Sequence, residues 1–171
     1  MGREVRKVPA SWKHPKNAHG NYTPLLEGPF SKTLEKWKIG KIKWAEKLRE
    51  DIKGNWIPIN EKLKSETYES WAGEEPNPED FMPEWPAELC THYLLYETCT
   101  EGTPISPVMT SPEELAQWLV DNEASAFADM TATYEQWLAV CKGSWAPSAV
   151  LMNGEIKPGV TLGSLPAEKI V

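Results

Sequence analysis

Histidine and cysteine are scarce in this chain, and the residues present are not grouped for chemistry. There are three cysteines, Cys90, Cys99 and Cys141, and no C-x-x-C pair. This argues against a structural zinc or a dithiol redox site and for free, buried thiols in a reducing compartment. His14 and His19 have no clustered cysteine or acidic partner, so no metal is expected. Phosphate-loop, dinucleotide and G-x-S-x-G patterns are absent, which leaves no cofactor to predict and argues against an enzyme. No apolar run approaches the roughly 20 residues that span a bilayer, and no leader-like apolar stretch opens the sequence, so a cytoplasmic protein without a membrane partner is expected.

Aliphatic residues are also sparse, and nine tryptophans offset them within a hydrophobic fraction of 40%. Each indole can bury about 200 Å², so a few replace a larger set of Leu and Val. At 171 residues a single domain with a proper core is the default.

Charge is unevenly laid out. Residues 1–50 hold 12 Lys or Arg against 5 Asp or Glu, whereas residues 51–171 hold 6 against 20. The plainest reading is that the basic part docks on the acidic remainder, of its own fold or of a second copy in a homodimer. Alternatively, Lys36, Lys38, Lys41, Lys43, Lys47 and Arg49, with Trp37 and Trp44 between them, form a nucleic-acid-binding helix face.

Along the chain, residues 1–30 contain four prolines without an apolar period and read as an extended arm over the surface. Leu34, Trp37, Trp44, Ala45, Leu48 and Ile52 then repeat at helical spacing, predicting a helix over 31–53 capped by Ser31 and ended by Gly54, within a basic segment 31–72. Residues 73–86 combine Glu74, Glu75, Glu79, Asp80 and Glu84 with four prolines, an exposed acidic connector with one short turn begun by Asn77-Pro78.

The stretch 87–159 reads as the core unit. Residues 90–98 are apolar on both alternating faces, as in a central strand covered on both sides. Ser111-Pro-Glu-Glu114 predicts a capped helix, with Glu114 reaching back to the Ser111 N–H, that ends at Asp121-Asn122. Thr133 with Gln136 starts another, ending at Gly143, and Trp118 and Trp137 are expected in the core. Asn153-Gly154 between two strand-like runs predicts a terminal hairpin, and residues 160–171 a loose tail. The fold class is therefore α+β: a small, mostly antiparallel sheet packed with about three helices, preceded by an extended proline-rich arm.

The loop after residue 96 holds Glu97, Thr98, Cys99, Thr100, Glu101, Thr103 and Ser106. Glu97 with Glu101 could form a glycosidase-like pair, but a polar turn or a contact surface is the better reading. Cys99 and His92 point to opposite faces of an ideal strand, which disfavours a catalytic pair.

The N-terminal GREVRKVPASWKHPK, together with YETCTEGTPISPVMTSPEELA (residues 96–116) and ASAF (124–127), resembles a family of small tailed-phage and prophage proteins. The resemblance brings no settled activity, so no functional residue is carried over. Some relatives carry a cysteine-rich insert resembling a zinc knuckle, which this chain lacks. The resemblance implies an accessory protein in the bacterial host cytoplasm. There it would bind a host protein or nucleoprotein complex, as an anti-CRISPR-type or similar anti-defence inhibitor does; the acidic residues 74–84 and the 97–106 loop, read from composition and not from the resemblance, are the candidate contact surface. The alternative is a nucleic-acid-binding regulator using the lysine-rich helix.

Overall fold

A computed structural model describes residues 2–98, 102–152 and 154–164. In chain order the elements are β1 (Gly2–Val8), α1 (Phe30–Ala45), β2 (Leu48–Glu50), β3 (Trp56–Pro58), α2 (Tyr68–Ala72), β4 (His92–Glu97), β5 (Thr103–Pro104), α3 (Pro112–Asp121), α4 (Tyr134–Gly143), β6 (Trp145–Pro147), β7 (Ala149–Met152) and β8 (Glu155–Pro158), with short 3-10 turns between them. The fold is α+β. The chain forms two compact units: unit 1 is Met1–Leu25 with Glu84–Val171, and unit 2 is Leu26–Pro83.

Unit 1 is built on an antiparallel sheet in the order β5-β4-β1-β6. The start of the expected arm is thus an interior strand, paired along its length with β4 (Val5 opposite Leu95) and over three residues with β6. Its charges hid this, because Arg3 and Arg6 in G-R-E-V-R-K-V suggest a solvated segment. Both arginines are buried, 4% and 6% exposed, and both are partnered. Arg3 donates to Glu97 at 2.6 Å and to the Ser125 carbonyl at 3.1 and 3.2 Å. Arg6 donates to Glu4 at 2.8 Å and to the Leu25 carbonyl at 2.9 Å. Burying such charges is tolerable only with their hydrogen bonds supplied.

Strand alternation divides the neighbours of β1 and β4 between two faces. Val5 and Leu95 join Leu115, Ala116, Leu119, Trp137, Val140 and Cys141 in the core under α3 and α4. Leu94 and Tyr96 point the other way and are also buried, so β4 is covered on both sides as expected. Ser111 caps α3 by accepting from Glu114 N–H at 3.0 Å. The Glu114 carboxylate, however, accepts from the backbone and hydroxyl of Thr110 instead of reaching Ser111. The box at Thr133 is complete in both directions. Trp137 is fully buried and Trp118 only half-buried, packed against the same core. The terminal hairpin is present as β7–β8, with Gly154 at φ +81°; Asn153 lies outside the described residues.

Unit 2 departs further from expectation. The helix begins at Phe30 behind Pro29, without a side-chain cap from Ser31, and stops at Ala45. Lys47 turns to φ +66° and residues 48–58 fold back as the β2–β3 hairpin, so Lys47 and Arg49 are not on the helix. Helical spacing through Leu48 and Ile52 was coincidental: both belong to the hairpin region, and Ile52 is fully exposed at its turn. Nor is the acidic connector wholly exposed. Asn77 caps the expected turn at Pro78–Asp80, but Phe81 and Met82 are buried. Leu26 holds that strip by donating to the Asp80 carbonyl at 2.8 Å and accepting from Met82 N–H at 2.9 Å.

Candidate functional site

The sheet face of unit 1 that bears Arg6, Leu94 and Tyr96 is covered by residues 9–25 rather than by a helix. Local bonding makes this coil definite. The Asn17 side-chain oxygen accepts from His19 and Asn21 N–H, Asn17 N–H donates to the Asn21 carbonyl, and Thr23 N–H donates to the Pro15 carbonyl. Gly20 supplies the positive φ, +81°, that the tip needs. The chain is thereby folded back so that Tyr22 meets the His14 ring edge-on at 5.5 Å.

Between this coil and the segment after β5 lies a concavity of about 440 Å³. Trp12, His14, Tyr22, Leu94, Pro104 and Pro107 form most of its wall, and Lys13 and Lys16 lie exposed at its edge. The Lys16 ammonium sits 4.6 Å from the centre of the Tyr22 ring. Trp85 meets Trp12 edge-on at 4.7 Å and steadies it.

Tyr96 anchors the polar side. Its hydroxyl accepts from Trp12 Nε1–H at 3.2 Å and lies 3.1 Å from His14 Nδ1, while His14 Nε2 lies 2.6 Å from the Thr23 carbonyl. A carbonyl only accepts, so Nε2 carries the hydrogen and Nδ1 accepts from the Tyr96 hydroxyl. Burial, chiefly, holds the His14 pKa below its ordinary value, reinforced by the Arg6 charge and opposed by the Thr23 bond. Burial also pushes the Tyr96 phenol up to about 12. The Arg6 guanidinium lies 4.2 Å over the Tyr96 ring. The site is a neutral imidazole and a neutral phenol locked to each other in an aromatic wall.

The loop singled out in the sequence lies beside this concavity but is tied to the sheet. Glu97 pairs with Arg3. Thr98 Oγ1 accepts from Gly2 N–H at 2.6 Å and donates to the Gly2 carbonyl at 3.1 Å. Ser106 is buried, accepting from Leu95 N–H and donating to the Pro107 carbonyl, and Thr103 is half-buried in β5. Cys99, Thr100 and Glu101 lie outside the described residues. His92 bonds the neighbouring Thr91 hydroxyl at 2.9 Å.

The other predicted residues do not converge. Glu74, Glu75, Glu79 and Asp80 are exposed in unit 2, and Glu84 falls in unit 1. The lysine array is largely engaged: Lys36 with Glu50 at 3.1 Å, Lys41 with Glu69 at 2.6 Å and Lys43 with Glu46 at 2.7 Å. Lys38 and Lys47 are exposed, and the Arg49 guanidinium lies 5.7 Å over the Trp71 ring. Burial also pushes the Cys141 thiol up to about 12, as for an inert core thiol.

What the sequence reading missed was Trp12, His14 and Tyr22 as wall residues. For Trp12 and His14 the signal was the alternation of aromatic or imidazole groups with lysines at 12–16. Among the described residues no helix is long and apolar enough to cross a membrane, and no cluster of three or more His, Cys, Asp or Glu could hold a metal. Comparison with family models, curated proteins and solved structures returns no match.

Proposed function

We propose that this protein is a binding module that captures a protein partner in the Trp12–Tyr22–Pro107 concavity of unit 1. One observation carries the reading: the imidazole and phenol best placed for proton transfer are consumed in bonding each other, Trp12 and Thr23. A general base needs a free lone pair within reach of substrate, and His14 Nδ1 already accepts a hydrogen. What remains facing the concavity is aromatic and proline surface edged by two lysines. That chemistry suits an apolar or proline side chain flanked by a carboxylate on an extended peptide. On the phage resemblance, the partner belongs to the bacterial host, and a host defence complex is the first to test.

The nucleic-acid alternative on helix α1 is weakened because Lys36, Lys41 and Lys43 are matched with carboxylates. The test is a peptide array carrying acidic-apolar and acidic-proline sequences, read with the wild-type protein and with Trp12→Ala and Lys13→Glu/Lys16→Glu variants. Selective retention, lost by at least tenfold in both variants, is expected. Retention that ignores both changes rules the reading out, as does retention of single-stranded nucleic acid but no peptide.

A further inference from the structure

A second concavity, of about 210 Å³, lies wholly within unit 2 and does not depend on the reading above. Its walls are tryptophan and tyrosine. Trp44 and Trp71 stack with centroids 5.8 Å apart and planes 24° apart, and Tyr68 packs against Trp37 and Trp44. The indole N–H groups of Trp37 and Trp44 are spent on the carbonyls of Gly73 and Glu66, fixing those rings. Gly40 admits Tyr68 against α1, since a Cβ there would overlap the tyrosine hydroxyl. Trp56 and Trp71 complete the lining and remain 38% and 46% exposed, with ring surface for an incoming flat group.

The charges of this concavity are asymmetric. Lys36, Arg49 and Glu50 line it, and Lys36 pairs with Glu50. The half-buried Arg49 has a buried Nε with no hydrogen-bond partner among the described residues. Asp51, the neighbouring carboxylate, accepts instead from Lys53 N–H, Asn55 N–H and Asn55 Nδ2–H. A half-buried guanidinium beside an indole, with an unbonded Nε–H, is suited to take up an oxyanion.

The geometry points to a site for a phosphate-bearing aromatic group, with a nucleobase on the Trp56 and Trp71 rings and its phosphate on Arg49. Aromatic platforms beside a cation are how unpaired nucleotides are held. The same chemistry could arrive as a free nucleotide or as part of a single strand.

Titration of the full chain with adenosine 5′-monophosphate, adenosine and a six-nucleotide oligoadenylate, followed through indole N–H resonances, tests this. The monophosphate or the oligonucleotide should shift Trp56 and Trp71, and adenosine should bind at least tenfold more weakly than the monophosphate. An oligonucleotide at least tenfold tighter than the monophosphate identifies a strand as the source; equal affinity identifies the free nucleotide. Arg49→Gln should lose at least tenfold in affinity while keeping its fold by circular dichroism, since the Nε–H it removes bonds nothing in the fold. Should that variant not fold, Trp71→Leu is expected to lose the same binding. The site is refuted by an absence of shifts with either phosphate ligand, by adenosine binding equally well, by undiminished binding in the variants, or by a glutamate-rich peptide shifting the same indoles as strongly.

Discussion

The two units use aromatic residues in opposite ways. In unit 1 the core excludes water: Val8, Leu95, Tyr96, Leu115, Leu119, Trp137 and Val160 are all fully buried, and one tryptophan sits among aliphatic side chains from a sheet and two helices. In unit 2 the most buried large side chains, Ile59, Trp44, Trp37 and Phe81, each retain 5 to 7% exposure, and Ile39, Ile42, Ile52, Trp56 and Trp71 lie open. A segment of this size hides little surface from water. It is held instead by ring-on-ring contacts and indole-to-carbonyl bonds. The lesson is that a tryptophan can act as filler or as a clasp, and that only the clasp leaves a ring face for a ligand.

Trp137→Ala should break the comparison most forcefully if it fails to destabilise. Emptying a fully buried indole site costs about 3 to 5 kcal/mol, read as a lowered denaturation midpoint. Trp44→Ala is expected to cost less, because that ring already meets solvent and its neighbours can close over the gap. Equal losses would mean that both units pack alike.

Glycines sharpen the contrast at the next level. Gly102 has φ +104°, and a Cβ there would overlap the Leu25 carbonyl oxygen, a backbone atom with nowhere to go. Gly102→Ala should cost roughly 2 kcal/mol or more. At Gly40 the obstacle is the end of the Tyr68 side chain, which can rotate away, and alanine returns about 1 kcal/mol of helix propensity. Gly40→Ala should therefore leave the denaturation midpoint almost unchanged while disturbing the Trp44 and Trp71 indole resonances.

The smallest effect is a pH dependence confined to unit 1. Because the folded state lowers the His14 pKa, the ring is neutral in both folded and unfolded chains above about pH 6.5, and stability is full there. Below that value the unfolded chain takes up the proton first, so stability falls until the folded-state pKa is passed. A protonated Nδ1 also loses its bond from Tyr96. Urea midpoints should decline from about pH 6.5 downward in the wild type and decline less in His14→Gln. A flat wild-type profile would remove the locked imidazole.

Legibility in the sequence followed how local each cause was. The caps at Ser111 and Thr133, the Asn77-Pro78 turn and the Asn153-Gly154 hairpin depend on residues within four positions and could be read directly. The apolar run of β4 was equally plain. β1 was not, because the charge of Arg3 is met by Glu97 and Ser125, 94 and 122 residues away along the chain, and that of Arg6 in part by the Leu25 carbonyl. The end of α1 was missed for a related reason: Lys47 takes a left-handed turn that helical periodicity does not register. For the candidate site, the loop at 97–106 drew notice by composition, yet the concavity owes more to Trp12, His14 and Tyr22, which only a coil bonded to itself brings together.

The interior place of β1 also bears on how the protein is made. The strand is made before both of its neighbours, residues 92–97 and 145–147, which follow it by some 90 and 140 residues. At translation rates of about 5 to 20 residues per second, it waits roughly 4 to 18 seconds with both edges open. Its four charged side chains, Arg3, Glu4, Arg6 and Lys7, keep such a nascent strand soluble while it has nothing to pair with. The charges that disguise it in the sequence thus protect it during synthesis.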